Sequence, residues 1–215
     1  MSLTMFYDLL LATGETLYMV FASTLFAILL GLPLGTLLFS TARIKPNQAL
    51  NRSVAAVINI SRSIPFIILL VALIPFTRLL VGTSIGINAA IVPLTLGATP
   101  FFARLVDNIY QSLPTGLLEA GNAMGATTGQ MIRHILLPEA LPALIHASTV
   151  TAIALVNYSA MAGTVGGGGL GDLAIRFGYQ RFNVVVMLAT VIILVLIVQL
   201  LQSGGDRLAK RFLHN

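Results

Sequence analysis

Two scarcities in the 215-residue sequence restrict the class of protein. Cysteine is absent, which excludes a disulfide framework, a thiolate metal site and a cysteine nucleophile. Charged residues make up 9%, against about 25% in a typical soluble domain, so there are too few charges to cover a water-facing surface. Hydrophobic residues reach 57%, which also excludes disorder. The composition predicts an all-α, polytopic helix bundle in a membrane, forming a single domain over residues 1–215.

Five stretches are long and apolar enough to cross a bilayer, for which a helix needs about 20 mostly apolar residues. Stretches with few or no charged residues predict spans at residues 14–40, 58–80, 86–110, 141–163 and 183–204. Because five is an odd number, the two termini are expected on opposite sides of the membrane. Residues 1–15 contain two acids and no Lys or Arg, which is not the pattern of a cleaved signal peptide.

The positive charges are distributed unevenly between the two sides of this topology. Lys and Arg collect on the cytoplasmic side of membrane proteins. With the N-terminus outside, nine cations fall on one side: Arg43, Lys45, Arg52, Arg62, Arg104, Arg133, Arg207, Lys210 and Arg211. Only Arg78, Arg176 and Arg181 fall on the other. We therefore expect the N-terminus outside and the C-terminus in the cytoplasm.

The connection between the third and fourth predicted spans is too long for an ordinary loop. Residues 115–138 predict a short amphipathic helix, a turn at Gly125, and a second helix that begins with the capping-box pair Thr127 and Gln130 and is closed by Pro138. In the second helix the apolar residues share one face. A helix pair resting on lipid headgroups is the alternative, but Arg133 is its only permanent cation.

This loop resembles the EAA signature of ABC importer permeases. It reads Glu119-Ala120-Gly121, then Gly125, then Ile135-Leu136-Leu137-Pro138, and it departs from the signature only at Gly121, where a second Ala is usual. Residues 61–69, 74–78, 81–86 and 158–161 are similar to the methionine-import branch of that family.

The resemblance implies a homodimeric permease in a bacterial inner membrane, with five spans per subunit and a short cytoplasmic coupling helix pair. Its implied partners are two copies of an ABC ATPase subunit on the cytoplasmic face, a methionine-binding lipoprotein outside, and the surrounding lipid bilayer. We expect no cofactor, no metal and no nucleic acid.

The resemblance also implies which residues couple the permease to the ATPase. Small residues would permit close approach of the ATPase, Glu119 would pair with one of its basic residues, and Gly125 would allow a sharp bend. The end of the motif would hold the second helix to the bundle. The expected coupling residues are Glu119, Ala120, Gly121, Ala123, Met124, Gly125, Ile135, Leu137 and Pro138. For Glu119 the alternative is a solvated acid at the start of a helix.

The chain has no nucleotide site of its own. A phosphate-binding loop needs Gly-Lys-Ser/Thr, and both lysines follow other residues. Residues 166–171 formally contain G-x-G-x-x-G, but no acid follows about 20 residues later and no strand precedes. This segment is read as a flexible outer turn, or alternatively as part of an outer gate or docking surface. We therefore expect no catalytic residue and a separate ATPase.

The end of the fourth span suggests where substrate passes. Met161, facing its copy across a two-fold axis, is predicted to constrict the translocation path, together with Tyr158 and Ser159; plain helix packing is the alternative. His146 is expected to form an interhelical hydrogen bond. The G-x-x-x-G of Gly31 and Gly35 predicts a packing face.

The sequence therefore favours the permease subunit of an ATP-driven methionine importer. An importer for another small amino acid stays open, because methionine rests on the resemblance alone. A stand-alone secondary transporter is less favoured, since no intramembrane acid falls mid-span. A membrane enzyme is disfavoured because no H-E-x-x-H motif and no Ser–His–Asp set is evident, although residues 82–86 formally match G-x-S-x-G.

Overall fold

The computed structural model describes residues 3–212, which fold into helices and connecting turns with no strand in that range. This confirms the all-α prediction. The helices, in chain order, are α1 (Leu3–Arg43), α2 (Gln48–Ser63), α3 (Phe66–Ala72), α4 (Ile74–Val81), α5 (Ile87–Ser112), α6 (Thr115–Ala123), α7 (Thr128–Gly163), α8 (Gly169–Leu173, prolonged by a π-helical turn Ala174–Tyr179) and α9 (Val184–Arg211).

Four helices are each long and apolar enough to cross a membrane. They are α1, α5, α7 and α9, with 41, 26, 36 and 28 residues. They contain the first, third, fourth and fifth predicted spans. A fifth crossing exists only if the bent pair of α2 and α3 counts as one span.

The second predicted span, residues 58–80, does not form a single helix. Helix α2 ends at Ser63, and α3 leaves it at an angle of 102°. The cause is Pro65, because a residue before proline is driven out of the helical region. Ile64 is extended, with φ −82° and ψ 124°.

The centre of the bundle is the contact between α1 and α5. A β-carbon built on Gly31 would lie 2.9 Å from the Thr99 carbonyl oxygen, and one built on Gly35 would overlap the Ala103 carbonyl. Both positions therefore need glycine for the two backbones to approach this closely. The predicted G-x-x-x-G packing face is confirmed.

Helix α7 joins the loop to the membrane without a break, so the prediction that Pro138 closes a separate helix is wrong. The turn Met131–Leu136 is π-helical, and the Leu137 N–H donates to the Ile132 carbonyl. In a regular helix the ring of Pro138 would clash with the carbonyl four residues earlier. The wider turn that precedes Pro138 relieves this clash and lets the helix continue.

Candidate functional site

The helix–glycine–helix of residues 115–138 forms with the local geometry that the sequence predicts. Gly125 has φ +71°, the left-handed conformation that ends a helix. The Gln130 N–H donates to Thr127 Oγ1 at 3.4 Å, and the Thr127 N–H donates to Gln130 Oε1 at 2.8 Å. These two bonds form the predicted capping box, which fixes where α7 begins.

Gly121 is the buried residue at the contact between α6 and α7. A β-carbon at this position would lie 2.7 Å from Met131 Sδ and 2.8 Å from Ile135 Cδ1. The close approach that its small size permits is therefore to the chain's own α7. Gly121 is therefore the point at which α6 contacts the first turns of α7.

The outward side of α6 and the residue after it form an exposed surface, which we call the loop surface: Glu119, Ala120, Ala123 and Met124. The side chain of Met124 is 77% exposed. Glu119 makes no hydrogen bond or ion pair with any residue from 3 to 212, so its carboxylate is available to a partner. Between Glu119 and Met124, the small side chains of Ala120 and Ala123 leave room for another surface to approach closely.

The first turns of α7 are held in a buried apolar cluster. Met131 and Leu136 are almost fully buried, and they pack with residues of α1 and α5; the buried members are Phe39, Phe102, Val106, Tyr110, Met131, Leu136, Ala140, Leu144 and Ala147. Ile135 and Leu137 pack against this cluster, whereas Pro138 is exposed. The loop is thus packed against α1 and α5 in addition to being continuous with α7.

The three residues predicted for the translocation path do not converge in one chain. Ser159 is buried, and its hydroxyl donates to the Val156 carbonyl at 2.8 Å within α7. Met161 is 37% exposed. Tyr158 stacks on Phe66 of α3, with ring centroids 4.4 Å apart and an interplanar angle of 7°.

A cavity of about 130 Å³ opens beside this aromatic pair. Its lining comes from α2, α3, α5, α7 and the α2–α3 break: Ser61, Arg62, Ile64, Phe66, Leu69, Gly97, Phe101 and Tyr158. Apart from Tyr158, none of these residues was predicted from the sequence to line the path. The only available signal was Pro65, which places Phe66 at the start of a new helix.

The glycine-rich segment packs against α1, so the interpretation as a flexible outer turn is wrong, whereas the alternative of an outer gate or docking surface stays a prediction. Gly168 and Gly169 have φ +82° and +74°. The Gly169 N–H donates to Glu15 Oε2 at 2.8 Å, and the Leu170 N–H donates to Thr16 Oγ1 at 2.9 Å. The glycines permit a packed joint between α1 and α8, with acceptors from α1 capping the α8 N-terminus.

Two contacts between ionisable side chains lie near the end of the bundle that carries the loop, one within α5 and one between α7 and α9. Arg104 and Asp107 form the ion pair that their spacing predicts, at 3.0 Å. His146 Nδ1 of α7 lies 3.6 Å from Asp206 Oδ1 of α9. At that distance the interhelical contact is longer than the hydrogen bond predicted for His146.

Comparison with known proteins agrees with this geometry. A family model described as "Binding-protein-dependent transport system inner membrane component" matches residues 27–214. The chain is 53% identical over 210 residues to the "Probable D-methionine transport system permease protein MetI" of Vibrio cholerae, covering 96% of this chain and 93% of the relative. It is 56% identical over 165 residues to the "D-methionine transport system permease protein MetI" of Escherichia coli K12, covering 76% of each.

Solved structures show the same relationship. The chain superposes with a TM-score of 0.98, 52% identity and 100% coverage of both chains on a structure described as "Inward facing conformations of the MetNI methionine ABC transporter". A second structure, of an amino acid ABC transporter, has a TM-score of 0.71 at 20% identity, covers 95% of this chain and 92% of its own, and shows the fold alone. The chain belongs to the family of binding-protein-dependent transport system inner membrane components.

Proposed function

We propose that this chain is the membrane-spanning permease subunit of an ATP-driven ABC importer that takes up methionine. The observation that carries the proposal is the full-length match, at a TM-score of 0.98, to a methionine ABC transporter. Relatives named for D-methionine transport support the same substrate class. The sequence has no Gly-Lys-Ser/Thr motif, so ATP hydrolysis belongs to a separate subunit.

The proposed assembly has two copies of the permease and two ATPase subunits. The loop surface is where each ATPase docks, because it is exposed, contains an unpaired carboxylate at Glu119 and has alanines that permit close approach. A substrate-binding lipoprotein delivers methionine at the opposite end, and lipid surrounds the apolar outer faces of α1 and α9.

The coupling is proposed to be mechanical. Closure of the ATPase dimer moves α6, and α6 pushes on Met131 and Ile135 through its contact at Gly121. Because α7 is continuous to Gly163, this displacement tilts a whole membrane span. The buried cluster around Phe102 and Tyr110 carries the motion to α5.

We propose that the N-terminus lies outside and the C-terminus in the cytoplasm. Arg62 lines a cavity within the bundle and no longer counts as a loop cation. The remaining Lys and Arg residues still divide eight against three in favour of this orientation.

Met161 is proposed to contribute to the gate with its copy in the second subunit. Its partial exposure in a single chain is compatible with a partner across the two-fold axis. The substitution Met161→Ala should make the closed path leaky or raise basal ATP hydrolysis, measured as substrate-independent efflux from vesicles and as phosphate release. Val165→Ala, at a neighbouring residue of similar exposure, is the control. Efflux and hydrolysis identical to the unsubstituted protein would remove Met161 from the gate.

Uptake in reconstituted vesicles tests the proposed function. Vesicles that contain the permease, the ATPase and the lipoprotein should accumulate labelled methionine only with ATP, and omission of any component should abolish accumulation. Accumulation of a different amino acid but not methionine would favour the alternative substrate. Accumulation of methionine by the permease alone would favour a secondary transporter.

A further inference from the structure

Arg62 is exposed in the single chain and lines an open cavity at mid-depth of the bundle, although it was counted from the sequence among the cytoplasmic loop cations. It is the penultimate residue of α2, and it lines the 130 Å³ cavity with Gly97 and Phe101. Those two residues lie near the middle of α5, which places them on the order of 15–22 Å from either end of that helix at about 1.5 Å per residue. An ionised side chain at mid-depth in a membrane bundle is costly and commonly functional.

No acid within residues 3–212 neutralises Arg62, which makes no hydrogen bond or ion pair there. All seven acidic residues lie in that range: Asp8, Glu15, Asp107, Glu119, Glu139, Asp172 and Asp206. The first two and Asp172 lie at the α1–α8 end, and Glu119, Glu139 and Asp206 lie at the loop end. Asp107 is buried about 9 Å beyond Phe101 along α5 and is already paired with Arg104.

A second copy of the chain cannot supply the missing acid either. A two-fold axis along the membrane normal keeps every residue at its own depth, so the partner copy also has no Asp or Glu at the level of Arg62. An acidic partner for Arg62 at this level would therefore come from a molecule that enters the cavity.

The lining of the cavity indicates the chemistry of that molecule. A guanidinium group binds a carboxylate through two parallel hydrogen bonds. Phe66, Phe101 and Tyr158 surround the same space with aromatic rings, which make favourable contacts with thioether sulfur. The volume is about ten times what one water molecule needs, about 10–15 Å³.

We propose that this cavity is a substrate site within the permease, in which Arg62 binds the α-carboxylate of the transported amino acid and the aromatic residues bind its side chain. The proposal rests on the proposed function, because it assigns the ligand from the importer's substrate class. In this role Arg62 makes the permease selective for substrates that carry a carboxylate, which it binds at mid-depth in the membrane.

The first experiment measures ATP-driven methionine uptake in the reconstituted vesicles described above. Arg62→Gln should lower uptake at least tenfold, and Arg62→Lys should retain more uptake than Arg62→Gln because the positive charge stays. Arg78→Gln is the matched control, since Arg78 is an exposed arginine that does not line the cavity, and it should leave uptake within twofold. Each variant is first checked for co-purification with the ATPase. Uptake by Arg62→Gln at the unsubstituted rate would overturn the proposal.

The second experiment needs no transport, so it separates failure of the site from failure of the proposed function. Photo-methionine, a diazirine analogue, is irradiated with the purified permease–ATPase complex without lipoprotein, and labelled permease peptides are identified by mass spectrometry. Labelling is expected at residues 61–69, 97–101 or 158, lost in Arg62→Gln, and competed by methionine but not by methioninol, which lacks the carboxylate. No labelling of those residues, or equal competition by methioninol, would overturn the assignment. Vesicles that import no methionine would contradict the proposed function instead.

Discussion

Gly121 and Gly125 lie four residues apart in the loop, and large side chains are disfavoured at the two positions for different physical reasons. At Gly121 the helix is regular and the limit is space, since Met131 and Ile135 occupy the position of a β-carbon. At Gly125 there is open space but the backbone has φ +71°, which disfavours any side chain. The spacing of the motif predicted the second role. The first depends on how α6 folds back onto α7, which no local pattern reveals.

Substitution of Gly121 by a large residue should uncouple the loop from α7. Gly121→Ala should be tolerated within about twofold, because the atoms it meets are the mobile ends of Met131 and Ile135. Gly121→Leu should displace α6 and lower substrate-stimulated ATP hydrolysis at least tenfold. Gly116→Leu, in the same helix with open space around it, is the control. Equal stimulation in Gly121→Leu and Gly116→Leu would contradict transmission through this contact.

Substitution of Gly125 tests the turn rather than the packing. Gly125→Val should cost about 1–2 kcal/mol locally, because a left-handed conformation brings Cβ against the following carbonyl. We expect normal insertion into the membrane but loss of substrate-stimulated hydrolysis, measured on the reconstituted complex. Gly125→Asn should retain most of the stimulation, since Asn tolerates this conformation. Full stimulation in the valine variant would show that the bend is not needed.

At the level of the helices, one proline breaks a helix and another is accommodated within one, and the composition of the sequence does not distinguish the two cases. Pro65 divides α2 from α3 at 102°, whereas Pro138 lies inside the continuous α7. The difference is the π-helical turn before Pro138, which depends on the packing of Met131 and Leu136 in the buried cluster. The capping box and the long apolar helices were predictable because their signals are local. Pro65 causes the break locally, but the π-helical turn before Pro138 and the packed joint at Gly168 and Gly169 depend on tertiary contacts.

The joint between α1 and α8 is expected to contribute to stability through close packing. Gly169→Ala places a β-carbon 2.6 Å from Thr16 Oγ1 and 2.9 Å from Met19 Cε, and such overpacking costs about 1–3 kcal/mol. Gly82→Ala is a matched control, because Gly82 has a similar φ of +83° but nothing within 4 Å. The thermal midpoint of the purified protein should therefore fall further for Gly169→Ala. Equal midpoints would mean that backbone strain, not packing, determines the effect.

For the whole molecule, the loop and the cavity both involve α5 and α7. The loop is fixed to α1, α5 and α7 by the buried cluster, and the cavity is lined by α2, α3, α5 and α7. A displacement of α5 and α7 therefore changes the cavity. The motif predicted the loop, but the cavity brings together residues as far apart as Ser61 and Tyr158, which no spacing in the sequence indicates.

The most direct test of the account is whether the loop surface touches the ATPase on the cytoplasmic side. Because the sequence has no cysteine, a single Met124→Cys can be labelled with a benzophenone maleimide, and Tyr179→Cys at the other end is the control. Both side chains are well exposed, at 77% and 65%. Met124→Cys should react with membrane-impermeant maleimide only from the cytoplasmic side and cross-link to the ATPase, whereas Tyr179→Cys should react only from outside and form no such product. Labelling of Met124→Cys from outside, or no cross-link in a complex that still imports substrate, would contradict the account.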